Sequence, residues 1–141
     1  DNLKTTKFND EVLFAIDTIV KIDKKAIIGL KQMAKLKKRR RFRLCAHKGI
    51  EDSIHEMLIV HEKDCYVRPH MHVNKTESFH IIEGTVDVII FDEDGKIKDI
   101  IPMKVLLIML LFSPDDITKI LSISISRFLI REGVLSFLCQ S

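Results

Sequence analysis

The sequence predicts a mostly β protein, an antiparallel sandwich or barrel with one short N-terminal helix, and three observations predict it. Short runs rich in β-branched and aromatic residues recur along most of the chain. In the clearest, Ile54–His61, the residues His55, Met57, Ile59 and His61 share one face while Glu56, Leu58 and Val60 share the other. Polar turn clusters separate such runs, Lys48-Gly49-Ile50-Glu51-Asp52-Ser53 and Asp92-Glu93-Asp94-Gly95 among them. Between Asp23 and Leu36 the apolar spacing lengthens to that of a helix. Short strands at close spacing with turns between them are the pattern of sandwiches and barrels.

Taken in order, Val12, Phe14, Ile16, Val20 and Ile22 fall on alternate positions and predict a strand over Glu11–Ile22, with Asp17-Thr18 as a break and helix as the other reading. Asp23 offers an N-cap, and Ile27, Leu30, Met33 and Ala34 mark one face of a helix running to about Leu36, weakened by Gly29. The basic run Lys35–Arg43 follows. At a helix C-terminus cations are favoured by the macrodipole, so a solvated structural role is its first reading. A phosphate or carboxylate clamp at a pocket mouth is the second, because Arg binds such groups bidentately. A nucleic-acid patch is third, for want of interleaved aromatics.

Arg41–His47 and Ile54–His61 read as a strand pair, Tyr66–His72 and Glu77–Ile82 as another. Val86–Phe91 and Lys96–Ile101 form a hairpin across Asp92–Gly95, where glycine supplies the positive φ of the turn. Val105–Leu111 lacks alternation and reads as a buried strand.

The 141 residues suit one domain, residues 1–40 covering a β structure made of residues 41–141. With 46% hydrophobic and 30% charged residues the chain reads as globular. The longest apolar run, Val105–Phe112, is too short for a membrane span and the N-terminus has no secretion-type apolar core, so a cytoplasmic, membrane-free protein is expected. A net charge of only +3 argues against a nucleic-acid partner. Cys45, Cys65 and Cys139 are odd in number and widely spaced, which suggests reduced, buried thiols.

One stretch carries chemistry. His70 and His72 are separated by one residue, so in a strand both imidazoles project from one face, and Glu77 can join them after a short turn through Asn74 and Lys75. Two imidazoles and a carboxylate suit one divalent metal ion, Zn, Fe, Mn or Ni, with coordination positions left for water or substrate. Arg68 and Tyr66 lie on the same side of that strand and are candidates for holding substrate or a bridging water. His80, three residues beyond Glu77, falls on the opposite face of a regular strand. His55 and His61 are classed as packed or surface histidines.

The spacing H-x-H-x4-E-x6-G, from His70 to Gly84, resembles the first signature motif of the cupins. The wider stretch, Y-V-R-P-H-x-H followed by K-x-E-S-F-H-x-x-E-G, with R-L-C-A-H and H-E-M-L-I upstream, resembles the WbuC family of cupin-fold metalloproteins. That resemblance implies a cupin-type antiparallel β-sandwich or jelly-roll barrel, and it places a histidine at His47, aimed into the pocket from an adjoining strand. It holds from Asp1 to Pro102 and becomes patchy beyond Met103. Cupins generally carry a fourth ligand, a histidine after a proline-containing turn; here Thr118 stands at that degenerate position.

WbuC-like proteins are associated with polysaccharide and O-antigen gene clusters. The resemblance therefore implies a metal-dependent protein acting on a sugar, sugar phosphate or other sugar-derived small molecule, with isomerase, epimerase or dioxygenase-like chemistry. The alternative is a non-catalytic saccharide-binding or sensing module, which the loss of the fourth histidine favours. A homodimer is expected from the habit of cupin-like sheets.

Overall fold

The computed structural model describes residues 3–63, 65, 67–70, 76–105, 108–111 and 131–140; for Thr76, 108–111 and 131–140, Val134 aside, it describes the backbone. Eight strands and one helix follow in the order β1 (Thr5–Asn9), β2 (Val12–Ala15), α1 (Lys24–Lys35), β3 (Arg41–Cys45), β4 (Ile54–His61), β5 (Thr76–Phe91), β6 (Ile97–Lys104), β7 (Ile108–Leu111) and β8 (Arg131–Gln140). They form one sheet in the order β1-β2-β3-β4-β8-β5-β6, with β7 also on β5. The mostly β expectation with one short helix holds. The closed barrel does not: β1 pairs only with β2 and β6 only with β5 among the described residues, so the ladder has two open ends.

The helix begins where its cap predicts. Asp23 is extended and its carboxylate accepts from the Ala26 amide at 2.8 Å, satisfying one of the amides that the first turn leaves without a partner. Leu30 and Ala34 are buried on its inner stripe and Ile27 packs beside them, whereas Met33 lies at the exposed edge of the same face. The helix connects β2 to β3, and these two strands are parallel. This departs from the all-antiparallel expectation for a physical reason: a parallel pair needs a long crossover, and residues 16–40 with α1 supply it. The strand expected over Glu11–Ile22 therefore stops at Ala15, just before the Asp17-Thr18 break, and its partner is a β1 hairpin arm that the sequence reading missed.

β4 has the predicted limits, and β3 ends at Cys45, two residues short of His47. The hairpin at Asp92–Gly95 forms as expected. Gly95 has φ +76°, and Asp92 Oδ1 accepts from the amides of Asp94 and Lys96 at 3.0 and 2.8 Å.

Residues expected as two strands, Glu77–Ile82 and Val86–Phe91, form the single long β5. Its inward set changes parity on the way. Glu77, Phe79 and Ile81 are buried before the change, Val86, Val88 and Ile90 after it. The slip is a bulge: the register with β8 shifts between Ile81 and Thr85, and Gly84 sits there at φ +84°, a conformation that costs a side-chain-bearing residue about 1 kcal/mol or more. β6 and β7 lie end to end along one edge of β5, Thr85 opposite Lys104 and His80 opposite Ile108, and the break between them faces this bulge.

The sheet has a core on each face. On one, α1 covers Phe42 and Leu44 of β3, Leu58 and Val60 of β4 and Val134 of β8. Lys31 of the helix reaches Glu83 in the β5 bulge at 2.8 Å. On the other, Phe14, Cys45, Met57, Phe79, Ile81, Val86, Val88 and Met103 pack with Val67. The alternation read in β4 is thus a division between two cores rather than between a core and water.

Candidate metal centre

Glu77 is the most completely placed member of the predicted trio. It is 1% exposed, on the same side of β5 as Phe79 and Ile81, and so faces the second core. Burying a carboxylate is costly, which confines such groups to sites where a cation, a proton or strong donors compensate the charge. His80, three residues on, is exposed on the opposite face, as the odd separation requires.

The segment expected as the metal strand differs from a strand in its described part. Val67, Arg68, Pro69 and His70 belong to no ladder, and proline has no amide to give one. Val67 is buried in the second core, while Arg68 and His70 are exposed. His70 Nδ1 lies 2.9 Å from the Arg68 carbonyl oxygen. A carbonyl only accepts, so Nδ1 carries the proton, and in the neutral ring the lone pair is on Nε2, the arrangement usual for a ligating imidazole. His72, Tyr66 and the fourth-ligand position Thr118 lie outside the described residues. Among the described residues no three His, Cys, Asp or Glu side chains are grouped to hold a metal ion.

A second polar feature shares this face. His47, just beyond β3, stacks on His55 of β4 with ring centroids 4.4 Å apart and planes 6° from parallel, and Phe14 makes a T-shaped contact with His47 at 5.2 Å. His47 Nδ1 donates to the Glu56 carbonyl at 3.0 Å, which again leaves the Nε2 lone pair in the neutral ring. His55 Nε2 is buried without a hydrogen bond to any described residue. In the ladder His55 is opposite Cys139 of β8, and Cys139 is opposite Glu77 of β5. Position 139 therefore sits between His55 and Glu77 in one transverse row, whose ends are about 10 Å apart at the strand spacing. The structure thus brings His47, His55 and Glu77 to one end of one face.

Sequence reasoning classed His55 as a packed or surface residue, and it is packed, but its stacking on His47 was not anticipated. The signal was present: if Cys45 pairs with Met57 across the turn, His47 must fall beside His55.

His61, on the same face at the other end of β4, is a packed residue as expected. Its Nδ1 is 3.2 Å from Cys65 Sγ, and that thiol donates to the Arg39 carbonyl at 3.1 Å. Burial pushes the imidazole pKa down to about 3, and the positive charges of Arg41 and Arg43 push the same way. Unfolded, the ring takes a proton below its ordinary value of 6.5, which the folded state refuses until about pH 3. Stability from this residue is therefore present above pH 6.5 and is lost as pH falls from there. In urea unfolding over this window, His61→Asn should have a flatter dependence than wild type, by up to about 1.4 kcal/mol per pH unit. Parallel curves would show that His61 is protonated in the folded protein.

The two described thiols, Cys45 and Cys65, are buried and free, and burial raises both pKa values, Cys45 to about 11. Neither has the thiolate character of a nucleophile. No described helix is long and apolar enough to cross a membrane.

The chain is similar in structure to the cupin domain of Cnp3 from Schizosaccharomyces pombe, at 13% identity and a TM-score of 0.49, over 72% of this chain and 65% of that one. It is similar to a deletion mutant of Bacillus subtilis oxalate decarboxylase OxdC, at 17% identity and a TM-score of 0.48, over 65% of this chain and 22% of the enzyme. A third similar structure is the Clostridium difficile EutQ protein, at 14% identity and a TM-score of 0.47, over 71% of this chain and 61% of that one. The chain spans less than two thirds of the length of each. No curated protein matches it in sequence. Residues 22–103, more than half of the chain, match the model of a family described as a domain of unknown function, DUF6016, and the chain belongs to that family.

Proposed function

We propose that this protein is a cupin-like metalloprotein that binds one divalent ion, Zn, Fe, Mn or Ni, through His70, His72 and Glu77 and acts on a sugar or sugar-derived small molecule. The observation that carries the reading is the burial of Glu77, the carboxylate of an H-x-H-x4-E-x6-G pattern, on the face that also holds His47 and His55. The donor set is chemically suited to such an ion, two imidazoles and a carboxylate, and His70 has the tautomer that ligation uses. The glycine that ends the pattern has a structural reason of its own, the β5 bulge, whose register shift lets Val86 and Val88 face the same core as Phe79 and Ile81.

When bound, the ion would act as a Lewis acid toward oxygens of the ligand. The chain's own groups do the rest. Arg68, exposed beside His70, supplies a planar donor for a carboxylate, phosphate or hydroxyl pair, and Tyr66 a phenolic one. Val67, Phe79 and Ile81 belong to the apolar core that the buried Glu77 faces. The sugar and its setting, polysaccharide or O-antigen biosynthesis, follow from the WbuC resemblance alone, and the cytoplasmic location from the sequence expectation. Thr118, in place of a fourth histidine, favours a second reading, a non-catalytic metal-dependent saccharide-binding module.

Metal analysis of protein purified without added metal tests the centre. About one equivalent of a divalent ion is expected in wild type, with a loss of tenfold or more in affinity in His70→Ala and in His72→Ala. Unchanged metal content in both variants would remove the site. Sugars and sugar nucleotides should raise the melting temperature of the metal-loaded form; product formation then separates the enzyme from the binding module.

A further inference from the structure

We infer that the protein has a second ligand site, an anion pocket for a phosphate monoester, built from Arg39, Arg41 and Arg43 around Glu11. A cavity of about 160 Å³ opens between the β1–β2 turn and the start of β3, lined by these four residues with Asn9 and Ile59. That is roughly ten times the space one water needs, enough for a phosphate group and its first substituent atoms.

Its construction is specific. Glu11 is anchored at the turn, its amide donating to Asn9 Oδ1 at 2.8 Å and its carbonyl accepting from the Arg43 amide at 2.9 Å. Its carboxylate accepts from Arg39 Nε at 2.9 Å and lies 3.5 Å from Arg41 Nε. The hydrogen bond from Arg39 is the main cause of its lowered pKa, so it is ionised. Arg43 is different: its guanidinium makes no hydrogen bond to a described residue, although it is largely withdrawn from water. Burial, reinforced by Arg41 and Arg39, works against its charge.

Three cations thus meet one carboxylate, and two positive charges remain unbalanced in a half-enclosed space. Protonated arginine does not relieve this by titrating. An incoming dianion does, and a phosphate monoester, at about −1.5 to −2 near neutral pH, matches the imbalance better than a single carboxylate or a phosphodiester.

The pocket is separate from the proposed metal centre. Arg43 is in register with Ile59 and, through Leu135, with Ile81, whereas Glu77 is four residues further along β5, about 13 Å away at the rise of a strand. The row between, Cys45, Met57 and Phe79, is buried and packed.

The test is calorimetric titration of the full-length chain with inorganic phosphate, acetate and dimethyl phosphate at constant low ionic strength. Saturable phosphate binding is expected, with acetate and dimethyl phosphate weaker by about tenfold or more. Arg43→Gln should weaken phosphate about tenfold or more, the loss of one charge-assisted donor pair. Arg39→Gln, at a position whose side chain is 59% exposed, should weaken it in the same direction. Glu77→Gln should leave it unchanged, which keeps this result independent of the metal reading. No saturable phosphate binding, equal binding of all three anions, binding indifferent to both arginine variants, or binding lost in Glu77→Gln would each overturn the proposal.

Discussion

Glu77→Gln is expected to abolish the response of the protein to chelators. On the proposed reading, stripping the ion takes a compensating charge from a carboxylate that is 1% exposed, and it also removes the binding energy linked to folding. With the metal held at a hundred times its dissociation constant, that linkage is worth about 2.7 kcal/mol. Excess chelator should therefore lower the wild-type melting temperature by several degrees. The amide keeps the size of the carboxylate but brings neither charge nor comparable affinity for the ion, so Glu77→Gln should melt at one temperature with or without chelator. The measurement is a thermal scan of each protein before and after metal removal. Equal downward shifts in both would show that the ion sits elsewhere, and no shift in either would show that Glu77 is compensated by the protein itself.

Phe42→Ala has the largest expected effect on stability, a loss of roughly 3–5 kcal/mol. Phe42 is 1% exposed at the centre of the core between α1 and the sheet, opposite Val60 in the β3–β4 ladder, with Lys37 Nζ 5.8 Å above its ring. No neighbour can swing in to fill the space, because Leu30, Ala34 and Leu44 are themselves fixed on a helix and a strand. Phe8→Ala is the control: that ring is 60% exposed and contributes only its edge against Phe14, so the expected change is within about 1 kcal/mol. Urea unfolding of both variants checks the contrast. Similar losses would mean that the helix-side core does not dominate stability.

How much of this was legible in the sequence depended on the range of the interaction concerned. Asp23 as a cap, β4 from Ile54 to His61 and the Asp92–Gly95 hairpin all rest on residues within a few positions of each other, and all appear where expected. The basic run shows where that reading stops. The helix ends at Lys35, so Lys37–Arg40 lie beyond it and Arg41 and Arg43 are in a strand. Arg39 and Arg41 therefore pair with Glu11, a residue some thirty positions away, while Lys35, Lys38 and Arg40 stay exposed to solvent as the first reading expects. The clamp, second in the sequence reading, is the arrangement that the pocket resembles.

The candidate centre divides the same way. The sequence by itself determined that two imidazoles and a carboxylate fall at metal-binding spacing, and that Glu77 and His80 take opposite faces, because the two-residue period of a strand is a local property. Only the tertiary structure decided that β2 and β3 run parallel around a helical crossover and that the sheet keeps two open ends. It alone also buried Glu77 on the face where His47 stacks on His55, with position 139 of the last strand between them. The reason is that pairing partners and registers are chosen by packing between segments far apart in the chain, and no local period encodes which strand becomes a neighbour.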